Sequence, residues 1–164
     1  LKPAYIIETN EGPVAFASIP KCGQHTLNAI SVGMVLPQKL ARFKRWAFIR
    51  EPFDRLESAF HFYSEKGYKI NGGKVGSWEN FVDWALLSDD EHVLPQYLFV
   101  KAFDKYIKMD FMDSVLGTIS DYKPMKLNVS QRHHKTDLSY REKDIKHRYN
   151  NDFKLYESAF NGLC

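Results

Sequence analysis

Twice within the first sixty residues an apolar run ends in a cation and passes straight into a helical pattern. The first run is Val14-Ala-Phe-Ala-Ser-Ile19, followed by Pro20, Lys21 and a helix pattern from Thr26 to Val35 with Leu27, Ile30 and Met34 on one face. The second is Trp46-Ala-Phe-Ile49, followed by Arg50 and a helix opened by Pro52 and running to about Lys66. Its apolar side carries Phe53, Leu56, Phe60 and Tyr63. Strand and helix alternating in this way specify an α/β sandwich with a mostly parallel sheet, because a parallel strand pair needs a crossover and a helix is the usual one.

The remaining elements fit that frame. Ala4–Glu8 is a further strand, separated from Val14–Ile19 by a turn at Asn10-Glu11-Gly12. Gly67–Gly76 reads as a Gly- and Lys-rich loop, and Ser77 caps a helix over Trp78–Leu87. Tyr106–Met109 is expected as a core strand, followed by a helix capped by Asp110 and reaching Ser120. Ser139 and Glu142 form a capping-box pattern for a helix to about Tyr149, and a last helix covers about Asp152–Phe160. No repeat or linker divides the chain, and 164 residues suit one domain over 1–164.

Composition excludes several classes. With 44% hydrophobic and 15% aromatic residues the chain can bury a core, which argues against disorder. Two cysteines, Cys22 and Cys164, make neither a disulfide framework nor a zinc site. No apolar stretch is long enough to span a bilayer, so no membrane segment is expected in this chain, and no nucleic-acid partner is implied. The chain opens on Leu1 rather than Met, which leaves room for an upstream segment.

Net charge is +3, but it is unevenly placed. From Gly12 to Arg50 there is no Asp or Glu, while Lys21, Lys39, Arg42, Lys44, Arg45 and Arg50 all fall there. Such a segment is either a solvated basic face or a site for an anion. Lys21 and Arg50 sit at strand ends, where α/β proteins place their sites, and favour the second reading.

The chemistry of the two strand ends is consistent with phosphate. A helix N-terminus offers free N–H groups, Gly23 permits close backbone approach, Lys21 adds a charge and Thr26 a hydroxyl. Arg50 can grip a phosphate through two parallel hydrogen bonds, and Ser58, two helical turns on, reaches the same anion only if its helix crosses the pocket. The nucleoside-triphosphate pattern G-x-x-x-x-G-K-[ST] is absent.

Taken together, I-P-K-C-G-Q-H-T at 19–26 and F-I-R-E-P-F-D-R-L-E-S-A-F at 48–60 resemble the two cofactor motifs of sulfotransferases that use 3′-phosphoadenosine 5′-phosphosulfate (PAPS). The nearest likeness is to the carbohydrate O-sulfotransferases of the Golgi and their bacterial and viral relatives. The resemblance implies a P-loop-like three-layer sandwich with helices flanking the sheet. It implies that Lys21, Cys22, Gly23, Gln24, His25 and Thr26 hold the 5′-phosphosulfate, and that Arg50 and Ser58 hold the 3′-phosphate. Weaker likenesses follow: Asp90–Gln96 to a segment with His and Pro-Gln, Leu127–Ser130 to a cofactor loop that would add Asn128 and Ser130, and Tyr149–Tyr156 to a closing helix. Gln24 and His25 depart from the small residues usual in the first loop, and the chain is shorter than typical members. The implied reaction moves a sulfuryl group to a hydroxyl, by preference on a carbohydrate, and releases PAP (3′-phosphoadenosine 5′-phosphate). The family spans Golgi lumen and cytoplasm, so the compartment stays open.

Such a transfer needs charge stabilisation on the leaving group and a base for the acceptor proton. Lys21 suits the first, with the helix dipole behind Thr26 acting in the same sense. The resemblance implies a Glu or a His as that base; no acid lies on the first helix, which leaves His, whose free pKa suits base work at neutral pH. Of His25, His61, His92, His133, His134 and His147, the choice falls on His92, whose segment resembles a family region. His25 adjoins the sulfate and can serve as a hydrogen-bond donor. His61 reads as structural and His147 as a surface residue. Adjacent His133 and His134 read as a polar loop rather than metal ligands, and no metal is expected. Glu51 reads as a helix cap rather than a base. Arg55 is expected to pair with nearby acids, and the thiolate of Cys22 to be stabilised in the anion loop. Trp46, Phe48, Trp78, Trp84, Phe99 and Phe103 read as core. Two other functions stay in view: a non-catalytic module binding PAP or a polyanion, and a nucleotide kinase, which the missing G-K-[ST] and missing acidic metal site disfavour.

Overall fold

A computed structural model describes residues 2–124 and 136–162. The chain folds as a mixed α/β structure around a five-stranded sheet. In chain order the elements are β1 (Ala4–Ile7), β2 (Val14–Phe16), α1 (Gln24–Ile30), β3 (Gly33–Val35), β4 (Lys44–Ile49), α2 (Pro52–Lys66), β5 (Lys69–Ile70), β6 (Gly73–Lys74), α3 (Trp78–Ala85), β7 (Lys105–Lys108), α4 (Met112–Ile119), α5 (Glu142–Arg148) and α6 (Asn150–Ser158). Short 3-10 turns cover Pro37–Arg42, Gln96–Phe99 and Met109–Phe111.

The sheet order is β3-β1-β2-β4-β7. β2, β4 and β7 run parallel, with Phe16 opposite Trp46 and Phe48 opposite Ile107. β1 is antiparallel to both its neighbours. The sheet is therefore only partly parallel, which corrects the expectation of a mostly parallel one. The cause is connection length. The short link from β1 to β2 turns at Gly12 (φ 95°) and can join only antiparallel neighbours, whereas the routes from β2 to β4 and from β4 to β7 each contain a helix.

Side chains alternate across the sheet as the pleat requires. Tyr5, Ile7, Val14, Phe16, Phe48 and Ile107 meet Leu27 of α1 and Val115 and Leu116 of α4. On the other face the small Ala4, Ala15 and Ala47, with Ile6 and Ile49, admit Leu40, Val100, Phe103, Leu155 and Tyr156. Helices thus cover both faces. A separate aromatic cluster joins α2, α3 and α5 through Phe60, Trp78, Phe81, Ile145 and Tyr149, and also holds Val93 from the segment before β7.

Several elements differ from the sequence reading. The first helix ends at Ile30, and residues 33–35 form edge strand β3, with Met34 opposite Tyr5. Gly33 disfavours a helix and Val32 and Val35 favour a strand, so the helical spacing of Met34 was coincidental. The loop at 67–76 contains the hairpin β5–β6, turned by Asn71 (φ 49°) and Gly72 (φ 81°). Asn-Gly is the strongest short hairpin signal, and it was there to be read. Asp110 does not cap α4; its carboxylate accepts from Tyr156 Oη at 3.0 Å. Ser139 donates to Asp137 rather than capping α5. Ser77 and Glu51 do cap, accepting from Asn80 N and Asp54 N. Among the described residues no helix is long and apolar enough to cross a membrane.

Candidate functional site

The C-terminal ends of β2 and β4 lie side by side, so the segments that follow them are brought together. After β2 the chain turns sharply at Pro20–Gly23. Lys21 and Gly23 both adopt left-handed backbone (φ 67° and 74°). For Gly23 this costs little, and a Cβ there would collide with Met112 Sδ. For Lys21 it is a strained conformation held by its surroundings. α1 then starts with no side-chain cap and no acid in its first turn. Its N-terminus is electropositive without a built-in partner. Gln24 Nε2 turns back to donate to Ser18 Oγ at 3.0 Å, His25 is exposed and Thr26 is buried.

Arg50 reaches across to this loop, donating from Nη1 to the Lys21 carbonyl at 3.3 Å. Gln96, fully buried, locks the two segments together. Its Oε1 accepts from Arg50 N at 3.2 Å and from the Cys22 thiol at 3.4 Å, and its Nε2 donates to Arg50 O at 2.7 Å. Gln96 is held in turn by buried Asp152, whose carboxylate accepts from Gln96 N and Tyr97 N. Arg55 was expected to pair with acids. Instead its guanidinium donates to the carbonyls of Pro20, Leu94 and Glu91, tying α2 to both loops. The bond to Pro20 is buried and those to Leu94 and Glu91 are partly buried, and the planar guanidinium carries donors enough for all three.

Cys22 also departs from expectation. Its side chain is buried in the core beneath the sheet, and burial pushes the thiol up from its ordinary value rather than stabilising the thiolate. Only its backbone faces the loop. Ser58 lies one turn after Arg55 and one turn before Phe62 on α2, so it shares the helix face that crosses the first loop.

Lys21 and His92 meet at one ring. Lys21 Nζ stands 4.4 Å from the centroid of Phe62, and the imidazole of His92 stacks on Phe62 at 5.0 Å and 21°. Burial, with the like charge of Arg50 second, lowers the Lys21 ammonium to about 8, against a smaller upward pull from Glu65. His92 Nδ1 lies 3.0 Å from Asp90 Oδ1, which also accepts the His92 backbone N–H at 2.9 Å. Among the described residues neither Lys21 nor Arg50 makes a salt bridge. His61 is buried near Glu57 and His147 is exposed, as expected of structural and surface residues. Asn128, Ser130, His133, His134 and Cys164 lie outside the described residues. Phe48, Trp78 and Phe103 are buried, and Trp46, Trp84 and Phe99 pack partly buried against the core.

Sequence reasoning did not foresee Phe62, Asp90, Gln96 or the carbonyl partners of Arg55. Two signals were available: Phe62 falls four residues after Ser58, and Asp90-x-His92 has the spacing of an Asx turn. Among the described residues no group of three or more His, Cys, Asp or Glu is placed to hold a metal ion.

These features define a class: a mixed α/β domain in which adjacent parallel strands present two cations and an uncapped helix start at one sheet edge, the usual ligand position of such sheets. In comparison with known proteins, no family model, no curated protein and no solved structure matches this chain.

Proposed function

We propose that the chain is a PAPS-dependent sulfotransferase that moves a sulfuryl group to a hydroxyl, by preference on a carbohydrate. The observation that carries the reading is the convergence of Lys21 and Arg50, 29 residues apart, at the ends of adjacent parallel strands, with no ion-pair partner for either among the described residues. A partly buried like-charge pair of this kind costs stability unless an anion accompanies it. The helices on both faces and the parallel β2-β4-β7 unit are compatible with the P-loop-like sandwich that the resemblance implies.

The donors suit a ligand with two phosphate groups. Lys21, the backbone at Cys22 and Gly23, and the start of α1 would hold the 5′-phosphosulfate. Arg50 and Ser58 would hold the 3′-phosphate. When bound, PAPS supplies an electrophilic sulfur whose bond to the 5′-phosphate breaks with its electron pair leaving on PAP. Lys21 offsets the charge that develops there, and a neighbouring anion favours its ammonium form. His92, which shares the Phe62 ring with Lys21, would accept the acceptor's proton.

The test is calorimetric titration with PAP and PAPS, followed by labelled sulfate transfer to a panel of neutral and uronate-containing oligosaccharides. Binding that falls at least tenfold in Lys21→Ala and Arg50→Ala, with transfer by the wild type, is the expected result. No PAP binding overturns the reading. Binding without transfer to any acceptor assigns the chain to the alternative, a non-catalytic PAP-binding module.

A further inference from the structure

His92 does not hang free beside Lys21; three residues from two elements fix it. Its ring stacks on Phe62 and meets the edge of Tyr63 at 5.7 Å and 84°. Its Nδ1 faces Asp90 Oδ1 at 3.0 Å. The Tyr63 hydroxyl donates to the same carboxylate. Phe62 and Tyr63 are consecutive on α2, whereas Asp90 and His92 belong to the loop that Arg55 ties to α2. The ring's plane and its rotation are thus set by separate groups.

We propose that Asp90 is a positioning residue that fixes the tautomer of His92 and aims its Nε2 as the proton acceptor, an inference that rests on the sulfotransferase reading of the site. A carboxylate can only accept, so the nitrogen facing it carries the proton. Nε2 then keeps its lone pair and points away from Asp90. In the reaction the acceptor's O–H bond breaks, its electron pair stays on oxygen for the new bond to sulfur, and the proton passes to Nε2. The imidazolium so formed keeps its Nδ1–H on Asp90, whose charge stabilises it. Asp90 must be ionised for this. Burial alone would raise its carboxyl, but hydrogen bonds from the His92 N–H, the Tyr63 hydroxyl and the His92 ring outweigh it and hold the group below its ordinary value.

The experiment combines a spectroscopic and a kinetic arm. Nitrogen-15 NMR of His92 in the wild type at pH 8 is expected to show a single tautomer protonated at Nδ1. Asp90→Ala should release the ring to a mixture dominated by the Nε2–H form. With the best acceptor from the oligosaccharide panel, kcat should fall by roughly 10²-fold in Asp90→Ala. Asp90→Asn, which can accept the same hydrogen bond without charge, should fall between the two. KM for PAPS and PAP affinity should stay near wild type while kcat falls, a split that a merely structural role for Asp90 would not produce. An unchanged tautomer in Asp90→Ala, or a kcat loss matched by an equal loss of PAP affinity, overturns the proposal. A wild type that binds no PAP overturns the reading of the site instead, and the tautomer measurement then decides on its own whether Asp90 sets the ring.

Discussion

The same parallel strands carry cations at both ends, and the two ends treat them differently. At the start of β4, Lys44 is paired with Glu11 at 2.8 Å, and Arg45 grips Asp104 through Nε and Nη2. At the start of β7, Lys105 lies over the rings of Trp46 and Phe160. A cleft of about 300 Å³ opens beside them, lined by Thr9, Trp46, Lys105 and Thr118 among others. At the far end, among the described residues, neither Lys21 nor Arg50 makes an ion pair: Lys21 stands over the Phe62 ring with Glu65 acting on it only at longer range, and Arg50 donates to the Lys21 carbonyl. Among the described residues acids form ion pairs with the cations of one end and not with those of the other, and in the reading proposed above the second end is the one left for a charge that arrives with a ligand. The size of a cleft is a poorer guide than the state of its charges.

The comparison breaks most severely through the residue that holds the unpaired end together. Arg55→Ala leaves three carbonyls, one in a buried bond and two in partly buried ones, without their donor and should cost about 3 kcal/mol in urea unfolding. It should also weaken PAP binding, because the loop bearing Lys21 loses its tie to α2.

A pH titration of PAP affinity sharpens the contrast next. The free protein loses the Lys21 proton near pH 8, while an anion beside the ammonium retains it. Binding therefore takes up a proton above pH 8, and affinity should fall as pH rises from there. In Lys21→Arg, where the charge does not titrate in this range, the decline should be absent. Stability has the opposite sign. The folded value is depressed below the ordinary 10.5, so the unfolded chain binds more protons between about 8 and 10.5, and Lys21's contribution to stability rises across that window.

Smaller still is the backbone effect. Lys21→Gly and Lys21→Ala both remove the ammonium, but only glycine relieves the left-handed conformation. The glycine variant should be the more stable by about 1 kcal/mol in chemical denaturation. At the paired end, Lys44→Ala and Arg45→Ala should each shift stability by no more than about 1 kcal/mol, since both pairs are solvent-exposed. PAP titration of these two variants should match the wild type. A large loss there would put the anion site at the wrong end of the sheet.

The strand–cation–helix pairs were legible because periodicity and breaker residues are local signals, and both stand where the sequence puts them. The acid-free stretch was legible as charge but not as geometry. Of its six cations, Lys44 and Arg45 turn to acids lying outside the stretch, Lys39 and Arg42 ride an exposed 3-10 turn, and Lys21 and Arg50 alone converge. The antiparallel half of the sheet was hidden because β3 completes its pairing only with β1, nearly thirty residues back. Gln96 and Asp90 were hidden for the same kind of reason. Nothing around position 96 announces that its amide will bond both the N–H and the carbonyl of Arg50, and nothing at position 90 that the ring of His92 will stack on α2. Side-chain roles that depend on long-range closure are set by topology, which single-sequence patterns specify only in part.

Cys22 gives the assembled site a gauge of its own motion. Its sulfur sits beneath the anion loop, behind the amide of Gln96, and reaches solvent only when that lock lets go. Where reclosing outpaces modification, the rate at which a thiol reagent labels it reports the population of the opened loop, and a ligand spanning Lys21 and Arg50 would lower that rate.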